Sequence, residues 1–212
     1  MIARLQASGK PSHSEALERA WRDVSSLDLV SLSADLGRPD DGADGLIHLR
    51  LLGDPLVVDI GNRTIRHDRE DGTDLSRYLQ VLVLHYLAGV GKSPLMNRPI
   101  SFRELEGGAL YYSAFKARAI TPLVKEFGYR PELLRRVALS MDAERLSVGS
   151  MGFRFRFFER LPVSVILWLG DVEVSASANI LFDASAGKML PTEDLSVVAG
   201  VTSRLLVKKS KE

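Results

Sequence analysis

The chain has 212 residues, 45% of them apolar and 26% charged, enough to bury a sizeable core without metals or disulfides. Its 28 Lys plus Arg nearly cancel its 27 Asp plus Glu, which argues against nucleic acid as a partner, because phosphate binding rests on an excess of basic contacts. The absence of cysteine excludes disulfides, thiolate nucleophiles, iron–sulfur clusters and all-Cys zinc sites, so any metal would have to use His, Asp or Glu.

The stretch Met1–Lys10 lacks the apolar segment of a secretory signal, and no run approaches about 18 consecutive apolar residues. A cytoplasmic protein with no membrane contact is expected, with residues 1–12 as a mobile lead. Ser14 is placed to cap a first helix carrying Leu17, Ala20, Trp21 and Val24 on one face, with Trp21 in the core. A short second helix, Asp28–Leu36, should stop at Gly37, and Pro39-Asp40-Asp41-Gly42 marks a loop. Three strands follow, Leu46–Leu52, Leu56–Ile60 and Arg63–His67, separated by Gly53-Asp54 and Gly61-Asn62, which supply the positive φ that tight hairpins need. Ile47, Leu49 and Leu51 alternate with His48 and Arg50, so this antiparallel meander has one buried face.

Thr73–Leu87 reads as a helix apolar nearly all round, belonging in the middle of a domain. Ser101-Phe102-Arg103-Glu104 fits a capping box, Leu110–Ala119 a helix, Thr121-Pro122 a helix restart, and Pro131-Glu132 the opening of another. From Phe153 the period changes to two, with Phe153, Phe155 and Phe157 facing inward and Arg154 and Arg156 outward. Strands are expected at Val163–Leu169, Val172–Ala176 and Asn179–Phe182, and Thr192 should cap a final helix. Strands and helices that do not alternate regularly predict an α+β fold: an N-terminal antiparallel meander, central helices, C-terminal antiparallel strands and a final helix. One domain spans 1–212, with 208–212 as a charged, frayed tail.

Gly89-Val90-Gly91-Lys92-Ser93 fails as a phosphate loop, because the required first glycine falls on Tyr86 inside a helix. Gly149-Ser150-Met151-Gly152 is likewise followed by a strand where a nucleophile elbow requires a helix. Among four histidines no His-x-x-x-His pair occurs; His85, in the central helix, is the one to follow, as a core residue or as a ligand or base. Asp171 and Glu173, two residues apart, would share a strand face, where two carboxylates can hold a hard cation or divide acid and base roles. The same positions serve equally as a turn acceptor and a solvated side chain, and Asp183 can likewise close a turn.

With these residues quoted, the chain resembles an uncharacterised prokaryotic family, the domain of unknown function DUF 3786. The resemblance rests on Leu84-His85-Tyr86-Leu87, Pro99-Ile100-Ser101-Phe102-Arg103-Glu104-Leu105 with Gly107, Gly108 and Tyr112, and Leu161-Pro162-Val163 through Trp168-Leu169-Gly170-Asp171-Val172-Glu173. It continues in Ile180-Leu181-Phe182-Asp183 and Leu190-Pro191-Thr192-Glu193-Asp194-Leu195, roughly the last two thirds of the chain. Val174 departs from it, since a bulky aromatic is expected there. The resemblance implies no established activity. Some relatives look like proteins with a cysteine-rich iron–sulfur segment, which this chain cannot build, and some occur in corrinoid or one-carbon contexts.

The candidate site therefore comprises Trp168, Asp171, Glu173, Asp183, His85, Arg103 and Glu104. The leading expectation is a non-catalytic ligand-binding or accessory protein in a metal-cofactor or one-carbon (corrinoid-type) context, whose Trp168–Asp171–Glu173 corner meets a small ligand or a protein partner. The alternatives are a metal-dependent or two-carboxylate hydrolase, using Asp171, Glu173 and Asp183 as ligands or acid/base with His85 assisting, and a structural subunit of a complex. Carboxylates converging in a concave pocket would favour the enzyme; carboxylates dispersed over turns would sink it, and an exposed apolar patch would favour the subunit.

Overall fold

The structure, a computed structural model, describes residues 13–38, 44–69 and 72–212. The expected mobile lead and the Pro39–Gly42 loop lie outside the described residues. The fold is α+β, as the pattern predicts, with its contacts grouped into two compact units. The first comprises the described residues up to Pro94 together with Phe158–Arg160 and Lys188–Leu190; the second comprises Leu95–Phe157, Leu161–Gly187 and Pro191–Glu212.

In the first unit, α1 (His13–Ser25) buries Ala20, Trp21 and Val24 and packs on α3 (Arg77–Gly89). Helix α2 (Leu29–Asp35) is set by local signals: Asp28 accepts from the N–H of Val30 and Ser31, and Gly37 leaves the helix at φ +75°. Strands β1 (Leu46–Leu51), β2 (Asp54–Asp59) and β3 (Thr64–His67) form the antiparallel meander, with Ile47, Leu49 and Leu51 buried. Leu52 and Gly53 take the positive φ at the first turn, as expected near Gly53-Asp54; at the second it falls on Arg63, one residue past Gly61-Asn62.

Helix α3 begins at Arg77, not Thr73. Residues 73–75 instead extend along the meander: the His67 N–H donates to the Thr73 carbonyl, the Leu75 N–H to the Ile65 carbonyl, and Arg66 bridges Asp74. Backbone groups used in that pairing cannot also start a helix. At its other end α3 closes on Gly89, where a Cβ would stand 1.9 Å from the Met189 carbonyl oxygen; a Cβ at Gly91 would meet the Asp35 carboxylate at 2.2 Å. Gly89 is therefore required by close packing against backbone, whereas at Gly91 the end of the Asp35 side chain could give way, and the chain continues as a 3-10 turn, Val90–Lys92. The segment Phe158–Arg160 also belongs here: Phe158 stacks on Tyr86 at 4.2 Å between centroids, the Arg160 N–H donates to the Tyr86 hydroxyl at 3.0 Å, and the Glu159 carboxylate accepts the Arg50 N–H at 2.7 Å.

In the second unit a five-stranded sheet has the order β4-β8-β7-β6-β5, from β4 (Pro99–Ser101), β5 (Glu144–Leu146), β6 (Met151–Phe158), β7 (Leu161–Trp168) and β8 (Ser177–Asp183). Phe153, Phe155 and Phe157 are buried while Arg154 and Arg156 are exposed, and Arg154 meets its register partner Glu144 at 3.2 Å. The two edge strands, each three residues long, carry no sequence signal of their own. The expected strand Val172–Ala176 does not form, and residues 169–176 are the irregular connection between β7 and β8.

Helix α4 (Gly108–Phe115) runs without a break through a π-helical turn, Lys116–Ile120, into α5 (Thr121–Phe127). An α-helical segment does restart at Thr121 with its proline in the first turn, as expected, but without a break from the π turn before it. The widened turn, in which the Thr121 N–H reaches the Lys116 carbonyl, accommodates a proline that lacks the N–H of a regular α-turn. Helix α6 (Pro131–Leu139) opens at its proline as expected. Short α7 (Ala186–Met189) precedes α8 (Thr192–Lys209), whose Leu195, Val198, Val201, Leu205 and Leu206 are buried. The N-cap of α8 is Pro191, not Thr192: the Thr192 hydroxyl donates instead to the Glu106 carbonyl at 2.7 Å. Lys208 and Lys209 complete the last turn of α8 where a frayed tail was expected, and there basic side chains complement the helix dipole.

Candidate functional site

The candidate carboxylates are spread over separate turns, with Asp171 and Glu173 on the same one, and Asp171, Asp183 and Glu104 each have a local task. Asp171 opens the β7–β8 connection, where its Oδ1 accepts the N–H groups of Glu173 at 2.8 Å and Val174 at 2.7 Å, while its own N–H donates to the Val174 carbonyl. The N–H groups of Val174 and Glu173 hold this exposed carboxyl below its ordinary pKa. That turn uses the backbone groups a strand would have paired, which explains why Val172–Ala176 is irregular. Glu173 is exposed beside it.

Asp183 ends β8 and is buried. Its Oδ1 accepts the N–H of Met96 and of Ser185, both at 2.9 Å, and the Ser185 hydroxyl; its Oδ2 accepts the Arg98 N–H at 3.2 Å. Burial pushes this carboxyl up, but the Ser185 hydroxyl and the three N–H donors outweigh it and keep it below the usual range. Asp183 thus fastens residues 96–98 to the end of β8. Glu104 accepts the Ser101 N–H at 2.6 Å in the expected capping box, and the Arg103 guanidinium lies 3.9 Å over the Tyr112 ring. His85 is half-buried on α3, in the first unit. Among the described residues no three His, Cys, Asp or Glu side chains are grouped to hold a metal ion, so Asp171, Glu173 and Asp183 are not drawn together.

The β7–β8 connection instead gathers exposed apolar surface. Trp168, Val172 and Val174 are 41%, 103% and 63% exposed, with Leu169 exposed between them. Exposed Tyr129 lies against the Gly170 backbone, so close that a Cβ there would meet its ring at 2.7 Å, and the Gly170 N–H donates to the Gly128 carbonyl at 3.4 Å. The result is an apolar corner on a hydrogen-bonded turn, edged by the carboxylates of Asp171 and Glu173.

The family model for the "Domain of unknown function (DUF3786)" matches residues 28–205, most of the chain, which takes in both the corner and the Asp183 junction. The chain belongs to this family. No curated protein and no solved structure matches it. Within this DUF3786 chain no helix of the described residues is long and apolar enough to cross a membrane.

Two groupings escape the sequence reading. In the first unit, His67 and Asp54 form a buried pair at the end of the meander register, where Leu56 faces His67, and the Arg69 guanidinium contacts the same carboxylate. In the second unit, a cavity of about 230 Å³ opens between α4, the π turn and the start of α8. Tyr111, Ala114 and Arg118 line it from one side and Thr192, Glu193 and Ser196 from the other, with Phe102 between. Its two walls are far apart in sequence, and only the helical spacing within each wall was there to be read.

Proposed function

We propose that this DUF3786 chain is a non-catalytic accessory protein that docks a protein partner on the Trp168–Val174 corner. The carrying observation is that Asp171 spends its carboxylate on the turn while Val172 and Val174 face solvent. A contiguous exposed apolar patch on an ordered turn is a recognition surface, whereas a general base or metal ligand needs a free carboxylate in a concave site. The acidic edge argues for a partner with an apolar face rimmed by Lys or Arg. It argues against a second copy of the same face, which would bring like charges together across a two-fold axis. The metal-cofactor or one-carbon context of that partner rests on the family resemblance alone.

Native mass spectrometry on protein purified from its host without chelator tests this reading. A stoichiometric protein partner that is lost from Val172→Asp/Val174→Asp, but kept by the first-unit control Val30→Asp, is the expected result. A stoichiometric metal or small molecule lost from Asp171→Ala/Glu173→Ala would replace it with the two-carboxylate enzyme.

A further inference from the structure

The cavity between α4 and α8 carries two opposite charges that do not meet. Arg118 and Glu193 both line it, and both are exposed. Neither pairs with the other or with any described residue, although several other Arg and Glu side chains in the second unit, such as Arg130 with Glu126, do form pairs. Buried Phe102 and the side chains of Tyr111, Thr192 and Ser196 line it as well. A guanidinium recognises a carboxylate, a carboxylate recognises an ammonium, and aromatic faces take an apolar group.

Arg118 lies within the π turn. Single π turns inside α-helices recur at functional sites. Here the turn places Arg118 on the same wall as Tyr111 and Ala114. The volume, about 230 Å³, is below the ~300–1,000 Å³ of pockets for drug-sized ligands, so the occupant is small. We infer that this cavity is a binding site for a small amino-acid-type zwitterion with an apolar side chain: its carboxylate on Arg118, its ammonium on Glu193, and its side chain against Tyr111 and Phe102. The site is separate from the Trp168–Val174 corner and stands or falls independently of it.

The test is an NMR titration of the isotope-labelled full chain with L-phenylalanine, and with phenethylamine and 3-phenylpropionate, each of which lacks one charge. The expected result is saturable shifts at the amides of Ala114, Arg118, Glu193 and Ser196. Each one-charge analogue should bind about tenfold more weakly, and so should L-phenylalanine to Arg118→Ala and to Glu193→Gln, as loss of one charge-assisted hydrogen bond implies. Amide positions away from the cavity report that each variant is folded. No saturable shift with L-phenylalanine, analogues that bind equally well, or variants that bind like the parent would each overturn the inference.

Discussion

His67 Nδ1 stands 3.0 Å from Asp54 Oδ2 in the interior of the meander, with both side chains almost fully buried. Burial lowers the His67 pKa, and the attraction of Asp54 only partly restores it. A histidine whose folded pKa lies below its unfolded value of about 6.5 binds more protons unfolded, so stability is fully present above that pH and falls as pH drops below it. Urea melts from pH 7.5 to 5 should show this loss, and His67→Asn, which cannot titrate, should flatten the slope. Equal slopes in the two proteins would remove His67 from the account.

Asp183→Ala should destabilise the chain by about 3 kcal/mol, because it leaves three N–H donors and the Ser185 hydroxyl without their charged acceptor. The depressed pKa gives the acid side of the same contact: its contribution is present above the ordinary Asp value of about 3.9 and is lost as pH falls through the lower folded value. Urea denaturation at neutral pH and at pH 3 measures both effects.

Gly89→Ala should cost at least about 3 kcal/mol, since backbone, not a flexible side-chain end, occupies the space its Cβ needs. Gly200→Ala is the opposing control. There the new Cβ meets only the tip of Arg204, and replacing a helix-interior glycine should stabilise by up to about 1 kcal/mol. Thermal melts of the two variants should move in opposite directions.

Asp171→Ala should leave global stability nearly unchanged, because the turn it staples is exposed. Hydrogen exchange at the Glu173 and Val174 amides, whose acceptor it removes, should quicken while β7 and β8 amides keep their protection. Unchanged exchange at those two amides would mean the turn holds its shape without the carboxylate.

The elements that could be read from the sequence are those decided locally. Asp28 and Gly37 bracket α2, Pro131 opens α6, and the alternation of Phe153, Phe155 and Phe157 with arginines marks β6. Those misread were decided by partners distant in sequence or by a competing side chain. Thr73–Leu75 was claimed by β3, Val172–Ala176 by the Asp171 carboxylate, and the Thr192 hydroxyl by the Glu106 carbonyl. The candidate carboxylates were visible as turn residues from their Gly-Asp and strand-end positions, and they occupy turns. The cavity left no mark because its charges, Arg118 and Glu193, approach only through the packing of α4 against α8.

The π turn at Lys116–Ile120 also sets an angular phase. Successive residues of an α-helix are rotated by about 100° around its axis, so deleting Lys116 or Ala117 from this turn would swing Tyr111 and Ala114 by that angle relative to Arg118. The wall that faces α8 would come apart while every hydrogen-bonded turn of the helix could still close. Length between Ala114 and Arg118 is therefore held more tightly than identity: exposed Lys116 and Ala117 tolerate exchange of side chains, but not the loss of a residue.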